Sequence, residues 1–468
     1  MKFDFDVAVI GGGSGGYAAA RTVAGAGLKT AVIEGGEEVG GLCILRGCMP
    51  TKALLYAAEV FHLAKNPRPW GIRPGKPSFD FKKVMARKNA MIREFADYRV
   101  QQLNAGKFKF IRAHAKFVDP HTVELCPAGG RQRVPASITA EHFVIATGSA
   151  IAPPPLRQLN DLDCLTSDTA LALKKLPKSL IVLGGGLIAC EFAQFFARFG
   201  VKITLIQRSP LLLTDFDADA AAVIADVFRR EGIELFTGTK LLDARRKGKS
   251  KRIFFEHDGK KVSVSADEIL LALGRTPNTA ALDLEKAGVK TDHDRILADH
   301  FMQTSAPHIY AAGDCAGPHE IVHLAVLQGE AAGKNIVQSR SVRMDYRLLI
   351  CVVFTEPQVA FAGLTEMAAM ARNIPYLAAS YPFNDHGKSL IMEARDGFVK
   401  LLCDPKSGEI IGGACVGPAG GELIHEIVAA MAKRMTVREL AAMPHYHPTL
   451  AEIWTYPAEE LAEKIEDR

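Results

Sequence analysis

Two cysteines stand close together near the start of the chain, in the segment GGLCILRGCMPTK. Five residues apart on one continuous helix, Cys43 and Cys48 would have Cα atoms roughly 8–9 Å apart, whereas a disulfide tolerates at most about 7 Å. The two can therefore join only if the helix between them is distorted. Gly47 relaxes the backbone there, and Met49, which precedes Pro50, is biased away from helical angles. Such a pair has two possible roles. It can be redox-active, because a strained disulfide near the surface is readily reduced. It can also be part of a zinc site, but no second Cys-x-x-Cys or Cys/His cluster supplies the other ligands.

The elements that must position this pair begin with a glycine-rich turn. The stretch DVAVIGGGSGGYAAARTVAGAGLKTAVIE predicts an apolar strand, a turn, a helix of small residues and a second apolar strand. Gly11, Gly13 and Gly16 have G-x-G-x-x-G spacing, which permits a tight turn and lets a pyrophosphate approach the helix N-terminus. Glu34 ends the second strand, where a carboxylate accepts hydrogen bonds from ribose hydroxyls. This unit predicts a dinucleotide site.

The chain repeats this unit once, in SLIVLGGGLIACEFAQFFARFGVKITLIQR. Its glycines are Gly184 and Gly186, and Ala189 occupies the third position, which is an allowed variant. Each unit is followed by a matching strand, EHFVIATG after the first and DEILLALG after the second. Two units indicate either two bound dinucleotides or one dinucleotide domain inserted within another.

The two glycine units differ in the residue that ends the second strand of each unit. Gln207 lies as far from Gly184 as Glu34 lies from Gly11, and Arg208 follows it. A carboxylate would repel a 2′-phosphate, whereas an arginine can pair with one. This difference favours NADP(H) over NAD(H) at the second site, although Gln207 can also bond an unmodified ribose and Arg208 can point to solvent.

Length and composition indicate a globular protein of several domains. The chain has 468 residues, of which 48% are hydrophobic and 23% charged, and its net charge is +5. The short basic run RRKGKSKR is predicted to be a solvated turn, so we expect no nucleic-acid partner. No leader or bilayer-spanning run is evident, and the nine cysteines are scattered, so we expect a cytoplasmic protein without a membrane partner.

These motifs resemble those of the class I flavoprotein (pyridine nucleotide-disulfide) oxidoreductases, which include dihydrolipoamide dehydrogenase, glutathione reductase and mercuric reductase. The resemblance covers almost the whole chain. Besides the two glycine units, it is carried by GGLCILRGCMPTK, ATG, GRTPN, IYAAGDCAG, FTEPQVAFAGLTE and HPTLAE.

The resemblance implies an α/β fold with two Rossmann-like dinucleotide-binding domains, for FAD and NAD(P), and a C-terminal α+β dimerisation domain. The FAD-binding domain would occupy residues 1–150 and 274–345. The NAD(P)-binding domain would occupy residues 151–273, and the dimerisation domain residues 346–468.

The resemblance also implies where the cofactors bind, with FAD at the first glycine loop and NAD or NADP at the second. Asp314 would accept hydroxyl or backbone protons near the ribityl–pyrophosphate region; the alternative is that it only caps a helix beginning near Gly317. The residues implied to contact the two cofactors are Gly11, Gly13, Ser14, Gly15, Gly16, Glu34, Gly41, Thr147, Gly148, Asp314, Ala325, Gly184, Gly186, Gln207, Arg208 and Gly274.

The resemblance also assigns catalytic roles to the two cysteines and to an ion pair. By resemblance, Cys43 is the thiol that meets substrate, and Cys48 faces the flavin. Lys52 and Glu191 occupy positions that form an ion pair near the flavin and nicotinamide. A cation there would stabilise negative charge on reduced flavin.

Thiol–disulfide exchange also needs a base, because only the thiolate attacks. The pattern H-P-T-x-x-E falls on His447 and Glu452, and a carboxylate can hold the imidazole tautomer that shuttles the proton. His445 is out of this register and is predicted to line the site or to be structural. In the family the histidine comes from the partner chain, so a homodimer with shared active sites is implied. No metal is expected.

Motifs in the C-terminal part of the chain bear on the substrate. The motif HPTL and the tail DPKSGEIIGGACVGPAGGELIHEI resemble dihydrolipoamide dehydrogenases, and the final segment YPAEELAEKIEDR lacks the cysteines of mercuric reductase. We therefore expect a lipoamide-like dithiol, free or on a carrier protein. The alternatives are a glutathione reductase-like NADPH enzyme, or a flavin oxidase, quinone reductase or transhydrogenase on the same fold.

Arg46 departs from the family pattern between the two cysteines. Its guanidinium could lower the thiolate pKa or favour an anionic disulfide substrate. Alternatively, it pairs with a nearby carboxylate and has no catalytic effect.

Overall fold

The computed structural model describes residues 2–128 and 134–466. The strands are β1 (Phe5–Ile10), β2 (Thr30–Ile33), β3 (Lys109–Ile111), β4 (Ala113–Asp119), β5 (Thr122–Pro127), β6 (Ser137–Ile145), β7 (Ser149–Ile151), β8 (Leu165–Thr166), β9 (Ser179–Leu183), β10 (Lys202–Ile206), β11 (Glu234–Phe236), β12 (Lys240–Lys247), β13 (Ser250–His257), β14 (Lys260–Ala266), β15 (Glu268–Leu271), β16 (Arg275–Pro277), β17 (Thr291–Asp292), β18 (Arg295–Ile296), β19 (Ile309–Ala311), β20 (Ile350–Val353), β21 (Gln358–Gly363), β22 (Leu377–Pro382), β23 (Phe398–Cys403) and β24 (Ile410–Gly417).

The α-helices are α1 (Ser14–Gly25), α2 (Gly41–Leu45), α3 (Cys48–Lys65), α4 (Phe81–Ala105), α5 (Ser167–Ala170), α6 (Leu187–Arg198), α7 (Ala218–Arg230), α8 (Val322–Gln338), α9 (Glu366–Ala371), α10 (Gly387–Ile391), α11 (Gly420–Ala432), α12 (Val437–Ala442) and α13 (Thr455–Glu466). Short 3-10 helices span Arg68–Trp70, Arg157–Leu162, Leu284–Ala287, Tyr346–Leu348, Phe383–Asp385 and Ala451–Trp454. None of the helices in the described part of the chain is long and apolar enough to cross a membrane.

The chain forms two compact units, each assembled from three segments. The first consists of Met1–Thr51, Met85–Pro153 and Gly274–Asp345, and the second of Lys52–Val84, Pro154–Leu273 and Tyr346–Arg468. The finer division into four domain segments stays a prediction.

The first unit is built on a mixed sheet with the order β3-β2-β1-β6-β5-β4, to which β19 adds by pairing with β6. The strands β3, β2, β1, β6 and β19 are parallel, as expected when helices cross between them. Helix α1 connects β1 to β2 and packs against α8 through small residues: a Cβ on Gly329 would lie only 2.1 Å from the backbone oxygen of Gly15. The strand, turn, helix and strand predicted from the first glycine unit are confirmed.

The second unit repeats this arrangement in a parallel sheet with the order β11-β10-β9-β15-β8, in which α6 connects β9 to β10. A separate antiparallel sheet, β12-β13-β14, includes the basic run at residues 245–252. The prediction of a solvated turn is wrong for most of that run, because it forms the ends of two paired strands. Lys251 is only 3% exposed, and its ammonium group bonds Glu268 and the backbone oxygen of Asp163.

The C-terminal part of the second unit is an antiparallel sheet, β20-β21-β24-β23-β22, with α11, α12 and α13 packed on it. Alternate positions of its strands and the fully buried Trp454 form a continuous apolar core. Two Rossmann-like sheets, one mixed with five parallel strands and one fully parallel, and a C-terminal antiparallel sheet covered by helices confirm the predicted fold class.

Candidate active site

Cys43 and Cys48 lie on two separate helices. Helix α2 ends at Leu45 and α3 begins at Cys48, and Arg46 between them has angles that are neither helical nor extended (φ −142°, ψ 7°). A Cβ on Gly47 would lie 3.2 Å from the Cα of Cys43, so the backbone just before Cys48 packs directly on Cys43. Both cysteines are half-buried. The distortion that a disulfide requires is therefore present, and the bond itself stays a prediction.

No metal centre competes for these sulfurs in the part of the chain that is described. Within residues 2–128 and 134–466, no group of three or more His, Cys, Asp or Glu side chains could hold a metal ion.

Arg46 is paired with a carboxylate. Its guanidinium lies 2.8 Å from Glu38, and the side chains are 45% and 59% exposed. An exposed pair of this kind stabilises the protein by only about 0–1 kcal/mol. The Glu38 carboxylate nevertheless offsets the positive charge of Arg46, and so reduces its effect on the two cysteines. This contact is the one that the alternative interpretation of Arg46 predicts.

Sequence reasoning missed a buried cation, Arg99, whose charge is close enough to interact with that of Cys43. The guanidinium of Arg99, on α4, stacks 4.4 Å from the ring centre of Tyr17, on α1. Its Nε and Nη1 atoms are buried and have no hydrogen-bond partner among the described residues. Burial lowers the pKa of Arg99, and the negative charges of ionised Tyr17 and Cys43 oppose that shift. Arg99 is one of several cations on a long helix, and no spacing in the sequence distinguishes it.

The first glycine loop brings the cysteine segment against the start of α1. Gly11 has φ +107°, and a Cβ on Gly16 would lie 1.8 Å from its backbone oxygen, so neither position tolerates a side chain. Gly41 has φ +73°, and a Cβ there would lie 2.8 Å from the Cα of Gly13. Because Gly41 is two residues before Cys43, this contact fixes the cysteine-bearing helix α2 beside the N-terminus of α1.

Polar groups around this loop fit FAD. The carboxylate of Glu34 accepts backbone N–H groups from Gly12 at 2.8 Å and Gly36 at 2.6 Å, which leaves lone pairs for ribose hydroxyls. The hydroxyl of Thr147 is buried and has no hydrogen-bond partner among residues 2–128 and 134–466, and no atom lies within 4 Å of a Cβ built on Gly148. An orphaned hydroxyl beside open space suits a polar ligand.

Asp314 is held by a hydrogen-bonded chain rather than by a helix end. The hydroxyl of Ser149 donates to Asp314 at 2.7 Å and accepts from Arg275 at 2.7 Å. Helix α8 begins at Val322, so no helix for Asp314 to cap starts near Gly317. Two other predicted cofactor residues adjoin this region: Ala325, whose backbone oxygen would be 3.0 Å from a Cβ on Gly15, and Gly274, whose backbone oxygen accepts from Ala152.

The second glycine loop differs from the first in its polar contacts. Gly184 repeats the conformation of Gly11, with φ +120°, and no atom lies within 4 Å of a Cβ on Gly186, which leaves room for a pyrophosphate. The amide of Gln207 accepts from the backbone of Arg208 at 3.0 Å instead of bonding the glycine loop. The Arg208 side chain is exposed. An exposed cation beside a neutral amide is compatible with the 2′-phosphate of NADP(H) and also with the unmodified ribose of NAD(H).

Lys52 and Glu191 form the ion pair that their positions predict. Lys52 Nζ lies 2.8 and 2.9 Å from the two carboxylate oxygens, and Glu191 is almost fully buried. The backbone N–H of Phe354 donates to the same carboxylate at 3.0 Å, and the Phe354 ring lies 4.6 Å from the ammonium group. This network fixes a partly exposed cation in one position.

His447 and Glu452 also form the predicted pair. His447 Nδ1 lies 2.9 Å from Glu452 Oε2, and the histidine side chain is 77% exposed. Both nitrogens of His445 are occupied, by Glu426 at 2.7 Å and by the backbone oxygen of Met443 at 3.0 Å, which is a structural role. The carboxylate thus fixes Nδ1 of His447 and leaves Nε2 available for proton transfer.

Sequence reasoning missed His386, which lies behind this pair. Its Nε2 is 3.4 Å from the other carboxylate oxygen of Glu452, and the side chain is completely buried. It sits in NDHGKSL, a segment without a motif, so only the fold reveals it.

Comparison with known proteins shows which family the chain is similar to. The model of the pyridine nucleotide-disulphide oxidoreductase family matches residues 5–329, and the dimerisation-domain model of that family matches residues 350–458. The chain belongs to this family. Its members transfer electrons between pyridine nucleotides and sulfur groups using FAD, and this protein is an enzyme of that type with FAD and NAD(P)(H) as cofactors.

Individual relatives span nearly the whole chain. Dihydrolipoyl dehydrogenase from Geobacillus stearothermophilus is 34% identical over 98% of this chain and 96% of its own length. Mercuric reductase from Staphylococcus aureus is 32% identical over 96% of this chain and 81% of its own. Among solved structures, the Cu(II) complex of the HOCl-induced flavoprotein disulfide reductase RclA from Escherichia coli superposes with a TM-score of 0.86 at 25% identity, covering 98% of this chain and all of the other.

Proposed function

We propose that this enzyme exchanges electrons between NAD(P)(H) and a lipoamide-like dithiol through Cys43 and Cys48, as a dihydrolipoamide dehydrogenase does. The observation that carries the proposal is the helix break at Gly47, which packs the backbone before Cys48 against Cys43. An uninterrupted helix would hold these two Cα atoms too far apart for a disulfide.

In this scheme the Cys43–Cys48 disulfide oxidises a dithiol substrate. A substrate thiolate attacks Cys43, the Cys43–Cys48 bond breaks, and the second substrate thiol then displaces Cys43 to leave a substrate disulfide and two enzyme thiols. FAD, when bound, supplies the two-electron relay between Cys48 and the nicotinamide. NAD(P)⁺ takes up the electron pair with one proton, and the second proton goes to solvent.

The charged pairs supply proton transfer and charge stabilisation. His447 accepts a substrate proton at Nε2, while Glu452 keeps Nδ1 protonated and stabilises the imidazolium that forms. The ammonium of Lys52, fixed by the buried Glu191, would stabilise negative charge where the flavin ring is expected to bind.

The enzyme would act as a homodimer in which His447 of the partner subunit faces Cys43. The support is the family's dimerisation domain at residues 350–458 and the exposure of the His447 ring within a single chain. We further infer a cytoplasmic enzyme whose substrate is small or attached to a carrier protein, without nucleic-acid or membrane partners.

A second candidate is an NADPH-dependent disulfide reductase. It is favoured by exposed Arg208 and by the neutral Gln207 where the first loop has a carboxylate.

A steady-state panel would test both candidates. NADH and NADPH would each be crossed with lipoamide, glutathione disulfide, coenzyme A disulfide and mercuric ion. The main proposal predicts the highest kcat/KM with lipoamide, and loss of that turnover on Cys48→Ser. Continued consumption of NAD(P)H with oxygen or a quinone by Cys48→Ser, without any disulfide turnover by the wild-type enzyme, would instead indicate an oxidase or quinone reductase.

A further inference from the structure

The carboxylate of Glu452 lies between two histidines. Oε2 is 2.9 Å from Nδ1 of His447, and Oε1 is 3.4 Å from Nε2 of His386. The two rings differ sharply in environment, because the His447 side chain is 77% exposed and that of His386 is not exposed at all. Only the exposed ring can meet a substrate.

The buried ring has a defined orientation. Nδ1 of His386 lies 2.8 Å from the hydroxyl of Ser389, which is itself buried. Two other described polar groups face the ring: the Glu452 carboxylate, at a separation slightly longer than an ordinary hydrogen bond, and the backbone of Thr449, which also favours a protonated ring nitrogen. Such bonds are often long before a catalytic assembly is complete.

Charge in this pocket favours a neutral imidazole. Burial lowers the pKa of His386, the nearby Glu452 carboxylate opposes that shift, and the His447 ring adds to it. The ring of Tyr456 approaches edge-on at 6.4 Å. The carboxylate of Asp385 bonds the hydroxyl of Tyr381 at 3.0 Å.

We propose that His386 is a positioning residue for the acid–base pair: its neutral Nε2–H donates to Glu452 Oε1, so that Oε2 stays directed at His447. Ser389 fixes the required tautomer by donating its hydroxyl proton to Nδ1. The chain Ser389–His386–Glu452–His447 then extends from the interior to the exposed ring. This inference rests on the proposed role of His447 and adds the residue that orients its carboxylate.

Loss of the Nε2–H donor of His386 should shift the pH dependence of the reaction rate in one direction. Without the Nε2–H group, the negative charge of Glu452 is less stabilised, so it holds a proton on His447 more strongly. Dithiol oxidation needs His447 unprotonated, so the acid limb of its pH–rate profile moves to higher pH. The carboxylate is also free to rotate, which lowers kcat rather than raising KM.

The test compares holoenzyme variants in dihydrolipoamide oxidation between about pH 5.5 and 9. We expect His386→Leu to lower kcat about 10-fold and to move the acid limb up by about one pH unit, a tenfold change in the proton equilibrium. His386→Gln, which retains an N–H donor, should recover most of both effects, and Ser389→Ala should produce a smaller shift in the same direction. Lys388→Gln, a half-buried neighbour on α10 that does not contact Glu452, is the matched control and should match the wild type.

The outcomes are separable. If the wild-type enzyme turns over dihydrolipoamide but the flavin-loaded His386→Leu variant keeps its profile within about 0.3 pH unit, the positioning role is wrong and the proposed function stands. If His386→Leu does not fold, Ser389→Ala decides: an acid limb that moves to higher pH supports the inference, and an acid limb at the wild-type pH overturns it. Absence of any dithiol or disulfide turnover by the wild-type enzyme rejects the proposed function itself.

Discussion

Replacement of Lys52 by methionine should destabilise the protein because it leaves the carboxylate of Glu191 buried without its cation. Both oxygens of that carboxylate bond Lys52, at 2.8 and 2.9 Å, and the Glu191 side chain is only 5% exposed. Removing one partner of a buried ion pair costs about 3–5 kcal/mol. Because the Lys52 side chain is 32% exposed, solvent screening reduces the expected loss to about 2 kcal/mol.

Thermal unfolding of the FAD-loaded enzyme, followed by flavin fluorescence, would measure this loss. For a chain of this length, about 2 kcal/mol corresponds to a fall in apparent Tm of about 2–3 °C. The double variant Lys52→Met/Glu191→Gln should recover at least half of it, because a neutral amide can still accept the N–H of Phe354. Lys82→Met, at an exposed position on α4, is the control. A Lys52→Met variant within 1 °C of the wild type, or a double variant as unstable as the single one, would refute the reasoning.

Three further predictions concern charge. Arg46→Leu should leave the pH midpoint of Cys43 alkylation by iodoacetamide nearly unchanged, because its carboxylate partner already offsets it, whereas Arg99→Leu should raise that midpoint, because it removes a buried cation whose charge favours the thiolate; equal shifts would contradict this assignment. Arg208→Gln should lower kcat/KM for NADPH about 10-fold with little effect on NADH, and an equal loss for both would show that the residue does not read a 2′-phosphate. Burial raises the pKa of Glu356 to about 7, so its ionisation opposes folding and stability should fall as pH rises from about 4.5 to 7; Glu356→Gln should flatten that part of the unfolding profile, and an unchanged slope would contradict it.

Local signals in the sequence predicted much of the cofactor framework. The contact that excludes a side chain at Gly16, with the backbone oxygen of Gly11, lies within one strand–turn–helix unit, so the local glycine spacing predicts it. Likewise, the break between Cys43 and Cys48 depends on neighbouring residues, above all Gly47. Such features are visible without knowledge of the rest of the fold.

Residues brought together by tertiary packing were not predictable. His386 reaches Glu452 from a loop that is distant in sequence, and neither its spacing nor its neighbours mark it. Arg99 is distinguished only because α4 places it on Tyr17 without a carboxylate partner among the described residues. In the basic run, Lys251 is buried because strand alternation turns it inward toward Glu268.

The central claim is that Cys43 and Cys48 accept the electron pair. Differential alkylation of the holoenzyme, with mass spectrometry before and after anaerobic addition of one equivalent of NAD(P)H, tests this most directly. We predict that both cysteines are protected in the oxidised enzyme and become alkylated on reduction, while the buried Cys190 and Cys415 stay unmodified. Equal labelling of Cys43 and Cys48 in the two states, while the flavin is reduced, would contradict the account.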